Sequence, residues 1–589
     1  MATDINYTPD TAITKAMFNF DAFGLSDYKL DGTIRVSVSD DFSIDDLSNP
    51  SYSRFDSILY TAGQNEVNWT TKMESNIQEI LQTYSQFANI NFQWVGDFDT
   101  SANGTNDFTP NPEDVGRANV SDVNINWIYR SDDNFAGVSG GNSDNFLLDY
   151  TGGANDIFLN AYAPKFNGDL SLDLNTRARQ TLMHELGHSL GLSHPHSAFD
   201  VSSGVPTITE DYAATTNIGF SQLGFRTNSS VDMYKEYFTI MSYDDQHSLL
   251  PGSNVVFQAY TPMILDVIAL QQAYGEGAGT SGLSNDKIIP GIAGYRSYFD
   301  IGGIDTVDLS EYADGAYFNM GVNITGANHL VGVSTSTFDA QNTIAVSGSP
   351  ANLRWFYGEY ENAFGSSKAD QIVGNPLANV IDGEDGDDKV VGGRGNDTLS
   401  GGGGNDSLDG QEDIDTAIYA SSRGAMTLTH NADNSYTIRD DANTEGVDTL
   451  NNIERINFSD EKLALDLNGN AGITAKTLGA VFGKDSISNQ DYVGIGLGLL
   501  DGGMSYNDLM ALALNAKLGA HASDTAIVNL LYTNVVGTAP STSDLSYFVG
   551  LLQNNTYTAA TLGVFAAETP LNTDNINLIG LTATGLEFI

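Results

Sequence analysis

The chain contains no cysteine among its 589 residues, which excludes disulfides, thiolate metal ligands and a cysteine nucleophile. Any metal must therefore sit on His, Asp, Glu, Tyr or backbone oxygen. Positive charge is scarce as well: 25 Lys and Arg stand against 75 Asp and Glu, a formal charge of -50. A field of that sign repels phosphate backbones and anionic headgroups, which argues against nucleic acid and membrane surfaces as partners. It also attracts cations, although a solvated acidic surface accounts for the charge on its own. No uninterrupted apolar run approaches the roughly 18–20 residues that span a bilayer, so membrane insertion is not expected. The opening stretch MATDINYTPDTAITKAMFNF lacks a basic region followed by an apolar one and does not read as a Sec signal peptide. Histidine is rare, eight in all, yet four of the eight fall within RQTLMHELGHSLGLSHPH, from Arg179 to His196.

What is present divides into segments. Residues 1–32 are polar and turn-rich, a candidate pro-segment. TIRVSVSDDF, from Thr33, alternates as a strand does, and Thr70–Ile90 places Met73, Ile77, Ile80, Leu81, Tyr84 and Phe87 at helical spacing before the strand-like INFQWV. The histidine-bearing helix is expected to start near Leu174 to Arg177, with Asn175 as its cap. TPMILDVIALQQAYG, Thr261–Gly275, has Pro near its start and Gly at its end, the punctuation of another helix. These elements predict an α/β domain over 33–275. A repeat domain comes next over 276–420, then a β-rich connector over 421–470 and a mainly helical domain over 471–589, where YNDLMALALNAKL and DTAIVNLLYTNVV are typical.

His184 and His188 lie four residues apart, so on a helix they share one face and can bind one metal together. Glu185 projects about 100° away on the same turn and can reach a water on that metal without ligating it. Gly191 allows a sharp exit from the helix, and His194 can return to supply a third nitrogen. Three imidazoles with one open position describe a catalytic zinc site rather than a structural one. HExxH alone also occurs on ordinary surface helices; the added Gly191 and His194 make that account much the weaker. His247, His329, His430 and His521 are scattered and carry no site assignment.

From Gly365 a period of nine appears, in GSSKADQIV, GNPLANVID, GEDGDDKVV, GGRGNDTLS, GGGGNDSLD and GQEDIDTAI. Position six reads Asp370, Asn379, Asp388, Asp397, Asp406 and Asp415, and position eight is apolar throughout. A flexible Gly/Asp linker has no reason to place an aliphatic side chain every ninth residue. The pattern GGxGxDxUx is that of RTX repeats, which predicts a parallel β-roll binding calcium. The candidate ligands are Asp388, Asp397 and Asp406, then Asp370 and Asp415 in degenerate repeats, together with carbonyls of Gly383, Gly392 and Gly401. Clustered carboxylates repel without the cation, so folding is expected to require it.

HELGHSLGLSH with TIMSYD downstream, Thr239–Asp244, resembles the zinc motif and Met-turn of the metzincin endopeptidases. SHP, MSY and PMILDVIALQQAYG are similar to the serralysin branch, secreted bacterial proteases with calcium-binding repeats; the likeness covers roughly residues 33–420. The resemblance implies a multidomain fold: an α/β metzincin protease domain, a parallel β-roll and a C-terminal mainly helical domain. It implies His184, His188 and His194 as zinc ligands, Glu185 as general base, Met241 as an apolar floor beneath the metal, and Tyr243 as a zinc ligand or transition-state donor. Zn2+ and Ca2+ are the implied cofactors, protein or peptide chains the substrates, and type I export the route, with GLEFI similar to an uncleaved export signal. One departure is His196, where serralysins usually carry Gly after HP; an exposed loop histidine is the simpler reading.

The helical region resembles an uncharacterised module appended to RTX repeats in secreted proteins, with attachment to a cell surface, glycan or other partner, or a plain stabilising role, left open. The sequence supports two functional readings. One is a secreted zinc endopeptidase stabilised by calcium; the other is a cell-surface RTX adhesion or binding protein whose protease-like domain is inactive or self-processing. The intact Glu185 favours the first.

Overall fold

The computed structural model describes residues 3–6, 28–39, 69–97, 122–128, 137–140, 155–160, 168–174, 176–192, 199–200, 205–206, 238–241, 259–280, 283–291, 295–322, 327–335, 353–442 and 445–589. Asn175, His194, His196, Tyr243 and His247 lie outside these residues. The chain forms two compact units, residues 1–307 with 317–360 and residues 308–316 with 361–589. Residues 276–307 and 317–360 therefore lie in the first unit, with the protease-like elements.

In the first unit, five strands order as Asn91–Asp97, Thr33–Ser39, Val123–Ile128, Asn155–Asn160 and Gly137–Gly140. All neighbours run parallel except the last strand, which pairs antiparallel with Asn155–Asn160. Helix α1, Thr71–Phe87, begins at Thr70, whose hydroxyl accepts the Met73 N–H. Its buried face is Met73, Ile77, Ile80, Leu81, Tyr84 and Phe87, the stripe expected from spacing. Helix α2, Arg177–Ser189, is capped by Thr176, whose side chain accepts from the Arg179 N–H, one residue beyond the cap expected from sequence. Both Asn and Thr can cap, and it is Thr176 that has the extended backbone required there. Helix α3, Ile264–Tyr274, starts after Pro262 and ends at Gly275, whose φ of 88° favours glycine.

The three helices are tied by polar contacts as well as by a shared apolar core. The Tyr84 hydroxyl of α1 donates to the Met183 carbonyl of α2 at 2.6 Å, and Gln271 of α3 donates to the Phe87 carbonyl at 2.8 Å. Tyr274 of α3 donates to the Leu190 carbonyl at 2.8 Å, just past the end of α2. The histidine helix is therefore held at its middle and at its exit.

In the second unit the nine-residue repeats wind as parallel strands. Val380↔Thr398 and Thr398↔Thr416 pair on one sheet, Gln371↔Lys389 and Lys389↔Ser407 on the other. Successive repeats alternate between sheets, and Ile372, Ile381, Val390, Leu399, Leu408 and Ala417 are buried between them. A hairpin of Met426–His430 and Tyr436–Asp440 interrupts the period before Val447–Asn451 and Arg455–Asn457 rejoin the two sheets in parallel. Helices then dominate from Asn470 to Thr584, and Leu586–Phe588 returns to pair antiparallel with Lys462–Ala464. Among the described residues no helix is long and apolar enough to cross a membrane.

Candidate functional site

Helix α2 brings His184 and His188 onto one face, their rings 4.8 Å apart and edge to face at 87°. Each ring is oriented by a backbone carbonyl: His184 Nδ1 lies 2.7 Å from the Ile240 oxygen, and His188 Nδ1 lies 2.7 Å from the Leu192 oxygen. A carbonyl only accepts, so both Nδ1 atoms carry a proton, and in its neutral form each ring places its lone pair on Nε2. That is the tautomer a metal requires, held by the kind of outer contact that metal-binding histidines use. Glu185, 5% exposed, stands in the same turn.

The floor of the site comes from afar. Met241 is fully buried, and a Cβ on Gly187 would sit 2.7 Å from its sulfur. The glycine between the two histidines therefore lets the Met241 side chain lie directly against the helix. The Thr239–Met241 turn is gripped in turn by Asp266, in the first turn of α3. Asp266 accepts the Thr239 hydroxyl at 2.6 Å and the N–H groups of Ile240 and Met263 at 2.8 Å each. Burial pushes its carboxyl up to about 7 despite these three donors. Sequence reasoning did not single out Asp266, since an acid in the first turn of a helix reads as ordinary capping. Among the described residues no three His, Asp or Glu side chains converge on one point; His194 and Tyr243 lie outside them.

The donor set fits zinc: two neutral imidazoles on one helix face with a carboxylate beside them. His329 sits elsewhere, its Nε2 2.8 Å from Glu276, and His430 packs on Tyr436.

The repeats build a second kind of site. Oδ1 of each aspartate accepts the backbone N–H of the residue eighteen positions earlier: Asp370 donates to Asp388, Asn379 to Asp397, Asp388 to Asp406 and Asp397 to Asp415, at 2.7–2.8 Å. The Oδ2 atoms of Asp388, Asp397, Asp406 and Asp415 are buried with no hydrogen-bond partner. A Cβ on Gly383 would meet both Asp388 Oδ2 and the Gly401 carbonyl, and one on Gly392 would meet Asp397 Oδ2. The missing side chains thus leave oxygen-lined hollows suited to a hard cation. Burial first, then neighbouring carboxylates, pushes Asp388 up to about 8 and Asp415 to about 7; burial with Asp413 takes Asp397 to about 7.

Asp370 is different. Its oxygens accept from the backbone N–H groups of Ala316 and Ser366 and from the Ser366 hydroxyl, so neither is left without a donor as the Oδ2 atoms of the other four are. Asn379 is similarly engaged, donating to Glu361 and Asn375. At the other end the ladder continues past the recognised repeats: Asp406 N–H donates to Asp448 and Asp415 N–H to Glu454, both at 2.9 Å. These rungs lie 42 and 39 residues on, because the hairpin intervenes. GVDTLNN, beside NDTLS and NDSLD, was the sequence signal that could have found Asp448.

Comparison with known proteins agrees with the class this geometry defines. The model for astacin, peptidase family M12A, matches residues 164–261, and the RTX calcium-binding nonapeptide repeat model matches residues 364–399 and 382–417. The chain thus carries a segment similar to the astacin peptidases and, after it, a segment similar to the RTX calcium-binding repeats. Among curated proteins it is similar to metallopeptidase AprA of Pseudomonas marginalis, 29% identical over 242 residues, 38% of this chain and 42% of the relative. It is also similar to metalloprotease AprA of Pseudomonas entomophila (strain L48), 30% identical over 216 residues, 34% of this chain and 38% of the relative. Serralysin G of Dickeya chrysanthemi is 31% identical over 228 residues, 36% of this chain and 39% of the relative. The aligned part spans about two-fifths of the length of these relatives.

Proposed function

We propose that the chain is a secreted zinc-dependent endopeptidase that hydrolyses peptide bonds in proteins and is stabilised by calcium in its repeats. The observation that carries the reading is the pair His184 and His188, each held by a carbonyl in the tautomer a metal requires, with Glu185 in the same turn. The site residues are His184, His188 and His194 for zinc, Glu185 as base and Tyr243 as ligand or oxyanion donor. Zinc, when bound, supplies a Lewis acid that acidifies water and polarises the scissile carbonyl. Glu185 takes the proton from the attacking water and returns it to the leaving amine. Tyr243 contributes to the rate only insofar as its hydrogen bond strengthens as the oxyanion forms.

For calcium the proposed ligands are the Oδ2 atoms of Asp388, Asp397, Asp406 and Asp415 with carbonyls of Gly383, Gly392 and Gly401. The five-segment division at 32, 275, 420 and 470 is kept as a functional one, with 1–32 as pro-segment. Export by type I machinery rests on the likeness to serralysins, and residues 471–589 either carry a surface or glycan partner or serve export and stability alone.

The test is casein hydrolysis by the purified chain in calcium beside Glu185→Ala. The variant is expected to keep its zinc and lose activity by roughly 10²–10⁴-fold, the worth of a positioned base. Equal cutting by both proteins would sink the reading.

A further inference from the structure

The two histidines of α2 are oriented by unequal means. His188 leans on the Leu192 carbonyl, four residues on, and Leu192 itself donates to Gly187 at 2.9 Å, so that contact is closed within one short segment. His184 leans on the Ile240 carbonyl, 56 residues on, in a turn that belongs to no helix or strand. The element that holds that turn is α3. Phe238 accepts the Leu265 N–H at 3.0 Å, and Asp266 takes the Thr239 hydroxyl and the Ile240 N–H. Thr239 then accepts the Met241 N–H at 3.0 Å, carrying the grip to the residue that packs on Gly187. The Ile240 peptide thus donates at one end to Asp266 and accepts at the other from His184.

We propose that Asp266 is a positioning residue of the peptidase centre: by clamping the Thr239–Met241 turn it fixes the Ile240 carbonyl, and through it the tautomer and ring plane of His184. This rests on the zinc reading of the histidine pair. Asp266 accepts from the Thr239 hydroxyl and from the Ile240 and Met263 N–H groups, while Thr239 uses one of its two lone pairs to accept the Met241 N–H. An Asn of the same shape can keep its oxygen on the Ile240 and Met263 N–H groups only by turning its NH2 to Thr239, whose hydroxyl proton then loses its acceptor; the clamp is weakened without opening a cavity.

The experiment measures zinc affinity of the full chain in calcium by competition with a chromophoric chelator, and the d–d spectrum after loading with Co2+. Asp266→Asn is expected to weaken zinc by about 10–100-fold, the usual cost of losing an outer-shell contact, and to alter the cobalt spectrum. Leu270→Ala, one turn along the same helix, removes packing but none of the hydrogen bonds that hold the turn, and is expected to lower Tm while keeping the wild-type zinc affinity and spectrum. Should Asp266→Asn not fold, Thr239→Val breaks the same link at constant size and is expected to shift zinc affinity and spectrum in the same direction.

Wild-type affinity and an unchanged cobalt spectrum in Asp266→Asn, or in Thr239→Val if that variant stands in for it, would overturn the proposal. So would an equal loss of zinc in Leu270→Ala at a matched fall in Tm, which would make the effect one of stability alone. A wild-type chain that takes up no stoichiometric zinc is a separate result, one that removes the peptidase reading and this inference with it.

Discussion

In the histidine centre the contacts that matter join residues far apart in the chain: His184 to Ile240 across 56 positions, Ile240 to Asp266 across 26, Tyr84 to Met183 across 99. In the roll the contacts between repeats are made eighteen positions apart, over and over. The described part of the first site, His184, Glu185 and His188, is held by an apolar core and by contacts of the protein itself. The second is assembled by repetition, and four of its carboxylates present a buried oxygen with no partner. A folded apo state is natural for the first and costly for the second.

The sharpest way to break this contrast is to remove calcium. In chelator at pH 8 the second unit is expected to lose its cooperative thermal transition while the first keeps its own, read by calorimetry. The pH dependence has a defined sign. Asp388, Asp397, Asp406 and Asp415 are raised to about 8, 7, 6 and 7, so without calcium the folded roll binds more protons than the unfolded chain. Its stability is then fullest below the ordinary carboxylate range near pH 4 and falls as pH rises through 6 to 8. With calcium the trend reverses, since the cation must displace those protons, and the calcium midpoint is expected to improve over the same window. A roll equally stable at pH 5 and 8 in chelator would contradict this.

A smaller effect separates the roll from the helical region beyond it. Arg455, 4% exposed, donates to Asp466 at 2.6 Å and to both oxygens of Asp501 at 2.8 and 2.9 Å. Asp466 also accepts the Asn470 N–H at 2.7 Å, at the start of the helical region. Arg455→Leu leaves two partly buried carboxylates unpaired and is expected to cost about 3 kcal/mol of the second unit's stability in calcium, by urea denaturation. No change there would mean that the helices stand independently of the roll.

The smallest effect tests the ladder rung by rung. Asp397→Asn should raise the calcium midpoint several-fold, whereas Asp370→Asn should leave it near wild type, because donors already fill the Asp370 oxygens. Equal shifts in a fluorescence-monitored calcium titration would put Asp370 back among the ligands.

Much of this was legible in the sequence. The α1 stripe, the histidine face and the parallel roll come from periods of 3.6, four and nine, which are local signals. The cap is Thr176, one residue beyond Asn175, because two good capping residues stand side by side and residue type alone does not choose between them. Asp415 was named from sequence beside Asp370, and what separates the two is not local: one of the donors on Asp370 is the Ala316 N–H, 54 positions away. Asp266 was illegible for the same reason: its partners come together only in the folded core. His194 and Tyr243 rest on motif spacing alone.

The alternation of repeats between two sheets sets a parity rule on how this chain can change length. Losing or gaining eighteen residues removes or adds one full coil and leaves every downstream strand on its own sheet. A change of nine would send Val447–Asn451 and Arg455–Asn457 to the opposite sheets, each against a different preceding strand. Lengths in the roll are therefore permitted in even numbers of repeats, and the hairpin after Ile418 is where an unpaired insertion can be absorbed without disturbing that count.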